Sequence, residues 1–283
     1  MYFAHAPYAA DLDQQIDRAV RSTLASHPQT KVYALIDATL LTPWNAELWT
    51  ASLGESKNTL QSVYLHTPLQ ELEEIAPFVM QIGPKELQAV LPHCSGTPFL
   101  SIVCSPLDVA GLCRHLAQFC QVQPPDKLLY PTRFADTATL PLLLQAMTAK
   151  QQLAFVAGFD TWHIIGRDGM LQILTLPEQV QRPPEHDDLI QEYSYTISDR
   201  SFASIVDGAD PDRLLCNMGT ENPHLVKNRH CAVLYSMACL VVEQMNQLKI
   251  EAEPDRADAF MQAMNSQSKQ AAVALLQQLA PSA

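Results

Sequence analysis

A chain of 283 residues can bury a substantial core, and at about 150 residues per domain it has room for one large domain or two smaller ones. Its 18 basic residues against 30 acidic ones leave a net charge of −12, which repels phosphate backbones; no basic strip interleaved with aromatics offsets this, so nucleic acid is excluded as the expected partner. Seven cysteines at irregular spacing, with no Cys-x-x-Cys pair, argue against a zinc ribbon or a thioredoxin-type site and point to reduced thiols in a cytoplasmic setting.

The opening MYFAHAPYAADLD lacks the basic region and apolar run of a secretory leader. A helix is expected over about 11–25, then a buried strand in KVYALIDATLL (31–41) and a weaker one in LQSVYLHT (60–67). Thr67, Pro68 and Glu71 have the form of a cap, a first-turn proline and a dipole-favoured acid, so a helix is expected there, ended by Pro77. A short helix follows from Pro84 and a strand over TPFLSIVC (97–104). SPLDVAGLCRHLAQFC (105–120) reads as an amphipathic helix with Ser105 as N-cap, Pro106 in the first turn and Asp108 as its acid. At about 100° per residue, Val109, Leu112, Cys113, Leu116, Phe119 and Cys120 share one stripe, which makes both cysteines small core hydrophobes. His115 falls at the stripe's edge, turned away from Cys113.

KLLYPTRF (127–134) reads as an edge strand, because Pro131 cannot donate to a ladder, and a helix is expected over about 136–148. In TWHIIGRDGMLQIL (161–174), two apolar runs flank Asp168-Gly169, the signature of a tight hairpin whose central residues need positive φ. Strands alternating with helices up to this hairpin predict an α/β lobe with a mixed sheet. PEQVQRPPEHDD (177–188) then reads as a linker. The expected organisation is an α/β lobe over 1–180 and a mainly α-helical lobe over 181–283. In the second lobe, QEYSYTIS is a possible extended piece and DGADPD a turn; Asn222-Pro223 starts a helix to about 249, and Glu253-Pro254 a last one to about 279. Between Cys231 and Val242 the sequence is apolar nearly all round the helix, too short to span a bilayer, so its own chain or a partner must enclose it.

Chemistry-bearing patterns are scarce. No GxSxG, HExxH, GxGxxG or glycine-rich phosphate loop occurs, and glycines number nine in the whole chain. SQSK (266–269) lacks the companions of a Ser-x-x-Lys site. HCSG (93–96) sets Cys94 beside His93 without supplying a base that faces it. His224 and His230 are six apart, a poor spacing for ligands sharing a helical face, and EHDD (185–188) reads as a solvated run. No catalytic residue, metal or cofactor is expected. Charged residues are 17% of the chain against about 25% in an average one, which fits either a surface that meets other proteins or one where Gln, Ser, Thr and Pro replace charge.

YALIDATL, TPLQELEEIAPFVMQI, SPLDVAGLCRHLAQFCQV, RFAD and FDTWHIIGRDG, in that order, resemble the adaptor or chaperone proteins of type VI secretion, sometimes called Tap or TEC proteins. The resemblance covers about residues 31–176. It implies a non-catalytic cytoplasmic protein with an α/β lobe and a more variable helical lobe, which holds one secreted effector and helps mount it on the VgrG spike. Arg133, Phe134 and Asp136 align with the family's Arg-Phe-Tyr-Asp run, with Ala135 in place of the usual aromatic and Thr137-Ala138 where a second arginine is common. For Arg133 and Asp136 the alternative to a VgrG contact is a structural ion pair or helix cap. Trp162 matches the aromatic before the last hairpin and is expected in the core. The resemblance marks nothing in the helical lobe. There Tyr235, Met237, Leu240 and Met245 are candidate partner-binding anchors, because their helix has more apolar surface than an amphipathic stripe needs. The rival readings are an immunity protein that occludes a toxin, and a hydrolase working through Cys94 or His93.

Overall fold

The computed structural model describes residues 4–38, 60–175, 190–226, 229–252, 254–266 and 268–279. Its contacts divide the chain into an α/β unit, Pro7–Ile205, and a helical unit made of Met1–Ala6 with Val206–Ala283.

The α/β unit runs α1 (Leu12–Ser26), β1 (Lys31–Asp37), β2 (Leu60–Ser62), a 3-10 helix (Gln70–Ile75), β3 (Pro77–Gln81), α2 (Pro84–Cys94), β4 (Leu100–Ser105) and α3 (Val109–Ala117). It continues with β5 (Gln121–Gln123), β6 (Tyr130–Pro131), α4 (Leu140–Ala146), α5 (Ala149–Val156), β7 (Thr161–Ile165), β8 (Leu171–Ile173), β9 (Ile190–Gln191) and β10 (Ser194–Thr196). Six strands form one sheet in the order β2-β3-β1-β4-β7-β8, antiparallel at every pairing. The mixed sheet is the second one, β6-β5-β10-β9, in which β10 runs parallel to β5. Tyr33, Val103 and Trp162 stand opposite one another across β1, β4 and β7 and pack with Leu112 and Leu116 of α3 and Phe155 of α5. On the opposite face Ala34 and Ile102 are fully buried, and α1 packs against β4. Burial on both faces explains why β1 reads as an unbroken apolar run rather than an alternating one.

Several local expectations change. The helix expected from Thr67 to Pro77 shrinks to the 3-10 turn, with non-helical dihedrals at Leu72, and Pro77–Gln81 joins the sheet as β3, paired on both sides. Ser105 is the last residue of β4 rather than a cap. Its hydroxyl donates to the Gly158 carbonyl, and the cap of α3 is Asp108, whose carboxylate accepts from the Gly111 N–H at 2.7 Å. Phe119 and Cys120 lie beyond the end of α3 yet are buried, as is Cys113. The strand expected over 127–134 reduces to β6, at the sheet's edge. The helix over 136–148 is shorter, and α5 follows it behind a capping box of Thr148 and Gln151. The hairpin forms, but its loop has three residues. Gly166 donates to the Met170 carbonyl and accepts from the Gly169 N–H, each at 2.9 Å, and Gly169 alone takes positive φ, +76°.

The proposed linker, 177–188, falls outside the described residues. Beyond it, QEYSYTIS supplies β9 and β10, so the chain returns to the α/β unit before entering the helical one within α6 (Asp199–Glu221). DGADPD is not a turn: it lies inside α6, with Pro211 buried and Asp210 held by Arg213 at 2.6 Å and Arg256 at 2.5 Å. Asn222-Pro223 opens only a 3-10 turn; α7 is Cys231–Gln247, and the last expected helix is two, α8 (Asp255–Met264) and α9 (Lys269–Leu279). Leu214, Met218, Leu234, Val241, Phe260, Met264 and Leu276 share their core. Among the described residues no helix is long and apolar enough to cross a membrane.

Candidate functional site

The stretch Pro124–Asp136 leaves the mixed sheet at β5, returns as β6 and ends before α4. Its first half is a loop whose shape is fixed by its own hydrogen bonds. The Lys127 N–H donates to the Pro124 carbonyl at 2.9 Å, and Lys127 takes a left-handed φ of +64°. Asp126 accepts from the Leu128 N–H at 2.9 Å and from the Tyr130 hydroxyl at 3.2 Å, an Asx turn with an aromatic brace. Gln123 donates to the Lys127 carbonyl at 3.3 Å, and the Tyr130 ring lies 5.5 Å from that of Phe202. The result is a braced loop that points apolar side chains outward: Leu128 is 58% exposed, Leu129 48% and Tyr130 36%. Three consecutive exposed apolar residues are more than the singly scattered apolars of an ordinary surface.

The second half anchors the loop. Thr132 donates through its hydroxyl to the Phe119 carbonyl and through its N–H to the Cys120 carbonyl, tying the chain back to the end of α3. Arg133 places one guanidinium nitrogen 3.3 Å from Asp37, at the end of β1, and 3.1 Å from Asp136. Both carboxylates are buried, while the arginine is about one-third exposed. The other Asp136 oxygen accepts from the N–H groups of Ala138 and Thr139, at 2.8 and 3.3 Å, which turns the chain into α4. Tyr64 lies beside this cluster; burial, and then the Cys120 and Asp37 charges, raise its pKa, opposed by Arg133. Arg133 and Asp136 are thus brought together as an ion pair with a capping role. Phe134, between them, is 1% exposed, a core residue packed with Phe155 at 6.1 Å and not a surface contact.

The helical-lobe candidates lie in or against the core of the helical unit. Met237 and Met245 are buried in the core of the helical unit, and Tyr235 and Leu240 are partly buried against it. One side of α7 packs into the shared core with α6, α8 and α9 through Leu234, Met237, Ala238, Val241, Val242 and Met245, while Val233 is 63% exposed. Cys94 is fully buried and burial pushes its thiol up to about 12, which leaves almost no thiolate at neutral pH for a nucleophilic role. Among the described residues no group of three or more His, Cys, Asp and Glu side chains could hold a metal ion. Lys269, of the SQSK stretch, donates to Ser236 at 2.8 Å. EHDD lies outside the described residues.

Leu128, Leu129 and Tyr130 were hidden in the sequence inside what reads as a strand. The signal for them is the turn chemistry on either side, Pro124-Pro125-Asp126 before and Pro131 after, which limits pairing to two residues and leaves the leucines outside the ladder. No curated protein and no solved structure matches the chain. Residues 32–154, from β1 through most of α5 and including the braced loop and the Arg133 cluster, match the model of a family described as a domain of unknown function (DUF4123).

Proposed function

We propose that this protein is a non-catalytic adaptor that binds a type VI secretion effector and helps load it onto a VgrG spike, using the Leu128–Tyr130 loop as a main contact. The observation that carries the reading is a loop braced by its own hydrogen bonds that exposes two leucines and a tyrosine in succession. A rigid apolar contact loses little conformational entropy on binding, and a few such anchors dominate the affinity of an interface of about 1,600 Å². The resemblance of the RFAD stretch and its companions to type VI adaptors supplies the class of partner. Met237 and Met245 drop out as anchors because they are core, and Arg133 serves by holding the loop's C-terminal end in place.

The test is to express the chain with the products of its neighbouring genes and identify what co-purifies. A VgrG and one toxin are expected, the toxin still active in the complex. Leu128→Asp with Leu129→Asp should abolish capture without lowering the melting temperature. Capture undisturbed by that variant would place the contact elsewhere, and a captured toxin whose catalytic domain is blocked would favour the immunity reading.

A further inference from the structure

Three segments meet at His115. Its Nε2 lies 2.7 Å from the Phe155 carbonyl oxygen at the end of α5; a carbonyl only accepts, so Nε2 carries the proton and Nδ1 of the neutral ring is bare. Phe159 meets the ring edge-on at 5.4 Å and Phe119 lies tilted at 5.9 Å. Gly158 approaches so closely that a Cβ there would stand 2.7 Å from the ring. The turn after α5 is also pinned to β4, by the Ser105 hydroxyl donating to the Gly158 carbonyl at 2.6 Å and the Asp160 N–H donating to the Cys104 carbonyl at 2.9 Å. Phe119 in turn receives the Thr132 hydroxyl, so this junction is the root of the exposed loop.

We propose that His115 is an acid-sensitive latch: neutral, it closes α3 onto the end of α5, and on taking a proton from solvent at Nδ1 it releases them. Protonation leaves the Nε2–H bond intact but puts a cation between the Phe119 and Phe159 rings in a buried site. The Phe155 carbonyl, at a helix C-terminus, favours that cation, burial opposes it, and burial is the larger influence, so the ring's pKa is lowered. The charged groups on the surrounding elements do not offset this. Arg114 is exposed on α3 and Asp108 caps its far end; Lys150 is exposed on the first turn of α5; Asp160 is engaged by the Thr30 hydroxyl and lies 3.6 Å from His27. With the folded value below the ordinary value of about 6.5, the unfolded chain binds more protons in the interval between them. The latch's contribution is therefore complete above about pH 6.5 and is lost as pH falls through the lowered value.

The full chain is melted from about pH 7.5 to about pH 5 alongside His115→Gln, which keeps an N–H for Phe155 and cannot titrate. The wild type should lose more melting temperature on acidification than the variant; His163, whose pKa burial also lowers, contributes equally to both. In the wild type the His115 ring signal should titrate below the ordinary value by NMR. That titration decides the matter alone should the variant not fold. Equal losses in the two proteins, or a ring that titrates at or above the ordinary value, overturns the latch.

Discussion

Gly169 meets two demands at once. Its φ of +76° is in the left-handed region, and a Cβ on it would collide with the Pro7 carbonyl oxygen, where the N-terminal segment crosses the hairpin and Ala9 donates to the Gly169 carbonyl at 3.0 Å. Gly169→Ala is expected to cost about 2 kcal/mol, more than conformation alone would exact, measured by urea unfolding. Arg133→Ala should cost a similar amount, about 2 kcal/mol: removing one partner from two buried carboxylates is severe, but the guanidinium is one-third exposed and water screens part of the pairing. Rescue of Arg133→Ala stability by adding Asp37→Asn would identify the unbalanced charge as the cause. The sequence marks Gly169 clearly, through Asp-Gly between apolar runs. The pairing of Arg133 with Asp136 is local, three residues apart, but the second partner, Asp37, is distant in sequence and nothing local announces it.

At the level of elements, one edge of each sheet discourages a further strand. At β8 the Leu171 N–H is taken by the Gln15 side chain of α1 at 3.1 Å, and at β6 Pro131 has no N–H to offer. Those two edges offer a further strand little to pair with, which fits the proposed use of the exposed leucine side chains of the braced loop. The helical unit makes the opposite point. Met237 is buried, so Met237→Asp should remove much of the helical circular dichroism at room temperature, a loss of about 4 kcal/mol or more, whereas Leu240→Asp, partly buried, should leave a folded protein with a lower melting point. Periodicity made α1, α2, β1, β4 and the hairpin legible, since each carries its own caps or its own apolar run. It concealed β3, whose Phe-Val-Met run follows directly on a helix-like stretch, and it divided the helices wrongly, because Pro211 within α6 and the break between α8 and α9 are set by tertiary packing around Asp210, Arg256 and the shared core.

Across the whole molecule the thiols offer a compact check. Cys94, Cys104, Cys113 and Cys120 are buried, and burial pushes Cys94, Cys113 and Cys120 up to about 12; Cys216, Cys231 and Cys239 are partly accessible. A thiol reagent should therefore label no more than three of the seven cysteines quickly in the native protein and all seven in denaturant. Fast labelling of a fourth would show that the α/β core opens. The split of the helical unit between the chain's two extremes bears on how the protein is made and handled. Ala4 emerges from the ribosome roughly two hundred residues ahead of the helices whose core it joins, so that unit is expected to close last. Ala4 is buried in the core of the helical unit, so a fragment begun at residue 206 would lack a piece of its own interior.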